Sequence, residues 1–265
     1  MTFSRLCQLA ALALFLLPVA AVAQQGTVNY TVTTKVEVEL PPELAHMQDQ
    51  IPSESTSERV LFFNESETLT TNPPSEEDDN VPDPSAMASD NNVNVVIRTR
   101  GSSSEDETYV NLDTGQVVQK RDLLGRTFRI NGEMSSLSWR LTGEQSEFLG
   151  YASQKAVAER DSTTYEAWFT SQIPISAGPE QYGGLPGLIL VLTDGRQTFE
   201  ATSVSLEPLA EGTIEPPSDG REVTGEEFTA LLEERMRDLE ESSGTFSSSG
   251  GASGTRSFRV IRRGN

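Results

Sequence analysis

Forty carboxylates, one histidine and one cysteine are the groups with which this chain of 265 residues could do chemistry. The histidine, His46, stands in the loop-like stretch PPELAHMQDQ. A zinc site built on histidines and cysteines is therefore excluded by count. A serine nucleophile would need His46 as its base, and no G-x-S-x-G elbow exists to present the serine. Carboxylate pairs remain, because glycosidases work with two, yet among 40 acids some pair falls at a suitable separation by chance. One acid stands out. Glu166 and Trp168 share a face of an alternating strand, where the indole could raise the carboxyl pKa or stack a sugar. A packed tryptophan beside a solvated acid is the simpler account. Glu166 is thus the catalytic candidate, and no metal or cofactor site is expected.

The stretch YGGLPGLILVLTDG, residues 182–195, concentrates glycine and proline ahead of an apolar run. Pro186 fixes its own φ and pushes Leu185 into an extended conformation. Gly187 can supply the positive φ of a type II turn, so Leu185-Pro186-Gly187-Leu188 reads as a sharp corner feeding a buried strand. Gly183 and Gly184 allow close backbone approach, either to a neighbouring strand or to a ligand. No Lys-Ser/Thr follows and no helix begins there, which argues against a phosphate cradle. The residues to test first as a ligand site are Trp139, Tyr165, Trp168, Tyr182, Gly183, Gly184, Leu185, Pro186 and Gly187.

The elements that must position these residues are strands. In GTVNYTVTTKVEVEL, Val28, Tyr30, Val32, Val36, Val38 and Leu40 alternate with polar residues, which predicts a long strand with one buried face. ERVLFF (58–63) and NVNVVIRT (92–99) are further strands. Between them, residues 64–92 carry eight acids, four prolines and no base, and read as a disordered acidic insert. Hairpins are expected at Asp113-Thr114-Gly115, at Asn131-Gly132 and at Asp194-Gly195. EFLGYASQKAVAER and TTYEAWFT are also strand-like. One helix is expected after Thr224, which with Glu227 forms a capping box. Phe228, Leu231, Leu232, Met236 and Leu239 make its apolar face. The fold class is mainly β: one large curved antiparallel sheet, a half-barrel, with one C-terminal amphipathic helix packed on it.

The ends suggest export. Arg5, an apolar run from Leu9 to Leu17 and the small-x-small site Ala21-Val22-Ala23 make residues 1–23 a cleavable signal peptide. Cys7 lies in that leader, so the mature chain has no thiol and no disulfide. Residues 24–242 then form a single β-rich domain, and residues 243–265 a Gly/Ser linker with a basic tail carrying Arg256, Arg259, Arg262 and Arg263. The net charge of −20, with three lysines among 20 basic residues, disfavours nucleic acid as a partner. Such a surface suits concentrated salt, where screening removes self-repulsion. No second segment is long enough to span a bilayer, so the chain is not expected to be an integral membrane protein.

YEAWFTSQIPISAGPEQYGGLPGLILVLTDG resembles the signature of the GLPGLI family, secreted bacterial proteins named for that hexapeptide. The resemblance extends upstream through GQVVQKRDLLGRTFRING, LSWRL and EFLGYASQKAVAE, covering residues 109 to 206. Ala152 stands where many members have cysteine, which removes any thiol role, and the acidic insert is unusually long. The resemblance implies an exported, envelope-associated β protein of no established activity, located in the periplasm, at the outer membrane or in the medium. A weaker analogy links it to periplasmic lipoprotein-carrier folds, in which a curved sheet leaves an apolar hollow. The function expected is a non-catalytic module binding an apolar or extended ligand, a lipid or a peptide, in the concavity of its sheet. The alternatives are a carboxylate-based hydrolase acting on envelope glycans and a structural partner of an outer-membrane protein.

Overall fold

The structure, a computed structural model, describes residues 24–36, 52–73, 106–123, 125–134 and 136–244. The signal peptide expected at 1–23, His46, Val38, Leu40, most of the expected acidic insert, the strand expected at 92–99 and the tail from 245 lie outside the described residues.

Among the described residues, twelve strands make one open sheet and one helix follows them. The strands are β1 (Gly26–Lys35), β2 (Glu54–Phe63), β3 (Glu67–Thr71), β4 (Glu107–Asn111), β5 (Gln116–Asp122) and β6 (Thr127–Glu133). They continue as β7 (Arg140–Phe148), β8 (Tyr151–Arg160), β9 (Thr163–Thr170), β10 (Leu188–Thr193), β11 (Gln197–Ser205) and β12 (Arg221–Thr224), ahead of α1 (Gly225–Gly244). The sheet order is β12-β6-β5-β4-β3-β2-β1-β11-β10-β9-β8-β7. The fold is mainly β, as the alternating patterns require, and every pairing is antiparallel except β12 with β6, which is parallel.

Alternation builds one buried face. Val28, Tyr30 and Val32 of β1 are at most 2% exposed. Their register partners Leu61 on β2, and Ala201 and Phe199 on β11, extend the same surface. Leu188, Ile189 and Leu190 in β10 are fully buried, each contributing about 1.5–3 kcal/mol of transfer free energy. Tyr30 donates its hydroxyl to the Ile189 carbonyl at 2.6 Å, which satisfies the one polar atom it takes into the core.

Short turns set most registers. Leu149 and Gly150 between β7 and β8, and Asp161 and Ser162 between β8 and β9, all have positive φ, as two-residue hairpin turns of the favoured hand require. The turn after β4 is the expected one, with Gly115 at φ 74°. The hairpin expected at Asp194-Gly195 also forms, and the Asp194 carboxylate accepts from the Arg196 and Gln197 amides at 2.9 and 2.6 Å.

Two expectations are corrected. Residues 67–71, assigned to a disordered insert, form β3 inside the sheet, paired with β2 and β4. Its inward residues are Thr68 and Thr70, each 1% exposed, so hydrophobic periodicity cannot see it. Asn131-Gly132 makes no turn: both lie within β6, opposite Val118 and Val117. The Asn131 amide donates instead to Glu222 of β12 at 2.7 Å, a tertiary contact that overrides the local turn preference. The β5–β6 turn falls earlier, around Gly125.

The capping box of α1 forms as expected. The Glu227 amide donates to the Thr224 hydroxyl at 3.2 Å, and the Thr224 amide to the Glu227 carboxylate at 2.8 Å. The helix packs at one margin of the sheet through Phe228 and Leu231 against Phe128, Ile130 and Val223, while Leu232 and Met236 are exposed. Among the described residues, no helix is long and apolar enough to cross a membrane.

Candidate functional site

Between β9 and β10 the chain leaves the sheet for residues 171–187 and lies across the buried face. Ile173, Ile175, Ala177 and Leu185 of this segment belong to the main core cluster. The apolar hollow expected to receive a ligand is thereby filled by the chain itself. The first half of the segment is fastened to the start of β10: Leu188 donates to the Ile173 carbonyl at 3.0 Å, and Ile189 to the Ala177 carbonyl at 2.9 Å.

The glycine-rich corner serves this packing, though not as a type II turn. Gly187 has φ 158°, far from the value near +80° of that turn. Its amide donates to the Leu185 carbonyl at 2.8 Å, a three-residue turn centred on Pro186. Glycine is required at 187 because a Cβ there would lie 2.1 Å from the Thr170 carbonyl oxygen. The Gly184 amide donates to the Ser176 hydroxyl at 3.1 Å, and the Trp139 indole to the Gly183 carbonyl at 2.9 Å. These groups close the corner on itself.

Farther along the same face, Glu180 docks the segment onto β2–β5. It is a non-glycine residue at φ 55°, a conformation costing about 1–2 kcal/mol that something must compensate. Its amide donates to the Thr70 hydroxyl at 3.1 Å. Its carboxylate accepts from Arg59 Nε at 3.1 Å, from Arg121 at 3.1 Å and from the Thr108 hydroxyl at 2.6 Å. Burial alone would raise the Glu180 pKa, but the Arg121 guanidinium, the Thr108 hydroxyl and Arg59 outweigh it and hold the carboxyl below its usual range. The guanidiniums are otherwise engaged too. Arg59 also donates to the Glu58 carbonyl and the Asn72 side chain, and Arg121 to the Glu107 and Lys120 carbonyls.

Beside this cluster opens a cleft of about 260 Å³. Its floor is the buried face of β1, β2, β5 and β11, represented by Val32, Arg59, Gln119 and Phe199, and its wall is Glu180, Gln181 and Tyr182. Tyr182 packs on Tyr165 with ring centroids 5.8 Å apart. Burial, helped by Tyr165 and Asp194, pushes its hydroxyl up to about 12. The Gln119 and Gln181 carboxamides have no hydrogen-bond partner among the described residues, whereas Gln197 donates weakly to Thr34 at 3.3 Å. A second hollow, about 240 Å³, lies between Leu123, Phe128 and the flank of α1 at Leu231.

The candidates separate into two groups. Tyr165, Tyr182, Trp139 and the corner Gly183–Gly187 meet on the covered face. Trp168 and Glu166 lie on the other face of β9, because they alternate with the buried Tyr165, Ala167 and Phe169. There Lys155 bridges them, 2.9 Å from the Glu166 carboxylate and 6.0 Å from the Trp168 ring centre, and Phe148 tilts against the indole. Hydrogen bonding to Glu166 raises the Lys155 pKa. Glu180, Arg59, Arg121 and Gln119 were not singled out from the sequence. The readable signal was arginine at an inward position of an alternating strand: Arg59 shares the face of Leu61 and Phe63, and pairs with Tyr30. Among the described residues no three or more His, Cys, Asp or Glu side chains converge as a metal site would need.

Comparison with known proteins adds a family signature and a fold. Residues 152–191 match a family described as "Protein of unknown function (Porph_ging)", overlapping the stretch that resembles the GLPGLI signature. No curated protein matches the chain. Two crystal forms of PNGF-II superpose with TM-scores of 0.50 and 0.51 at 18% identity, over 79% of this chain and 33% of theirs. The likeness is one of fold, and the chain spans about a third of the length of those structures.

Proposed function

We propose that the protein is an exported, envelope-associated binding module without catalytic activity, and that the cleft beside Glu180 holds its ligand. The observation that carries this reading is the state of Glu180, which with Asp106 is one of two carboxylates lining the cleft and is gripped by two guanidiniums and a hydroxyl. A general acid or base needs a pKa near the working pH, and these contacts drive Glu180 the other way. It anchors a loop. The side-chain carboxamides of Gln119 and Gln181, without a partner among the described residues, meanwhile offer hydrogen bonds to an incoming molecule. Glu166, paired with Lys155 on the far face, stands apart from this cleft. Neither the family match nor the fold likeness names a ligand, since fold does not transmit function. Export rests on residues 1–23, and sequencing the mature amino terminus should return Gln24.

Native mass spectrometry of the full protein purified from its own cells tests the binding. The wild type is expected to carry a bound mass that Gln119→Trp, which fills the cleft, removes. A folded wild type that carries nothing, and whose cleft resonances ignore native envelope extract, refutes the proposal.

A further inference from the structure

Resting on that reading, we infer that the ligand is a neutral, hydroxyl-rich chain, an oligosaccharide, held by Gln119, Gln181, Gln197 and Tyr182. Four features of the cleft lead there.

Its charges cancel: Arg59 and Arg121 are balanced by Glu180 and Asp106. Both guanidiniums already donate to Glu180 and to backbone carbonyls, so an anion finds little left to grip. The −20 charge of the whole chain repels it as well. An acyl chain fares no better, because covering Gln119 and Gln181 with methylenes would strand two carboxamides at about 1–3 kcal/mol each. An extended peptide is recognised chiefly through main-chain bonds to a free strand edge. Here the floor strands β1, β2, β5 and β11 are each paired on both sides, leaving no ladder to extend.

A hydroxyl group, donor and acceptor at once, matches a carboxamide that presents both functions on neighbouring atoms. Three glutamines line the cleft, and the half-buried Tyr182 ring in its wall can receive the C–H face of a sugar. At about 260 Å³ the space is below the roughly 300–1,000 Å³ of sites that enclose a drug-sized molecule. It therefore holds one section of a chain whose remainder stays in solvent.

The test is calorimetric titration of the full chain with cellotetraose, maltotetraose, mannotetraose and chitotetraose, beside sodium laurate and tetra-alanine. At least one sugar is expected to bind, with affinity falling tenfold or more in Gln119→Leu and Gln181→Leu and unchanged in Glu166→Gln. Melting curves confirm that each variant folds, and Gln119→Ala replaces any that does not. Sugar binding that Gln119→Leu and Gln119→Ala leave intact overturns the assignment. Laurate or tetra-alanine binding lost in those variants, without sugar binding, overturns the ligand class but keeps the cleft as a binding site. Silence from every probe overturns the class, and the binding reading falls with it only if native mass spectrometry is also empty.

Discussion

Replacing Glu180 by glutamine keeps the size of the side chain but removes the charge that balances Arg59 and Arg121. Breaking a buried ion pair by neutralising one partner costs about 3–5 kcal/mol, because the other charge is left uncompensated. The three side chains are 13–23% exposed, so solvent recovers part of that, and the lower end, about 3 kcal/mol, applies. With a urea dependence of about 2 kcal/mol per molar, the unfolding midpoint should fall by about 1.5 M. The pH dependence carries a second signature. The folded carboxyl binds its proton more weakly than the unfolded one. The stabilisation is therefore complete above the ordinary carboxyl pKa of 4.5 and drains away as the pH falls through the lower folded value. Urea titrations of wild type and Glu180→Gln at pH 7 and pH 3 should show the gap narrowing in acid. A cost below about 0.5 kcal/mol at neutral pH, or a gap that does not change with acid, refutes the account of Glu180 as the fastening of residues 171–187.

Gly187→Ala drives a methyl to within 2.1 Å of the Thr170 carbonyl, so it should cost about 3 kcal/mol or more in thermal unfolding. Gly195→Ala, where nothing lies within 4 Å but φ is 81°, should cost only about 1 kcal/mol. Thr224→Ala removes one half of the capping box and should cost about 1 kcal/mol, read as faster amide exchange in the first turn of α1 with the sheet unaffected. Glu166→Gln breaks a solvent-screened pair with Lys155 and should leave the thermal midpoint essentially unchanged. A larger loss there would mean that the far face of β9 is more than a solvated surface.

The strands whose inward residues are apolar were legible in the sequence. Val28, Tyr30 and Val32 alternate cleanly, and Leu188 to Leu192 form an unbroken run. The strand whose inward residues are threonines was not, because a hydroxyl counts as polar until its partner is known, and the partner of Thr70 lies 110 residues away at Glu180. The same distance hid the site. Arg59, Thr108, Arg121 and Glu180 come from three strands and a loop, and only the sheet order makes them neighbours. Tyr182 was singled out with the glycine corner for the backbone chemistry of residues 182–187; it lines the cleft, while Gly183–Gly187 do not. Trp168 was named beside Tyr165 as a ligand-site residue, but three positions along a strand put the two on opposite faces.

The position of β1 has a bearing on how the chain assembles. Among the described residues it alone bridges two arrays of strands, bonded to β2 on one flank and to β11, some 170 positions later, on the other. During synthesis its second flank must wait for nearly the whole domain to emerge, which makes completion of the sheet slow by nature. A polypeptide lacking this first strand would present two raw borders, at β2 and β11, each ready to adhere to a neighbouring molecule.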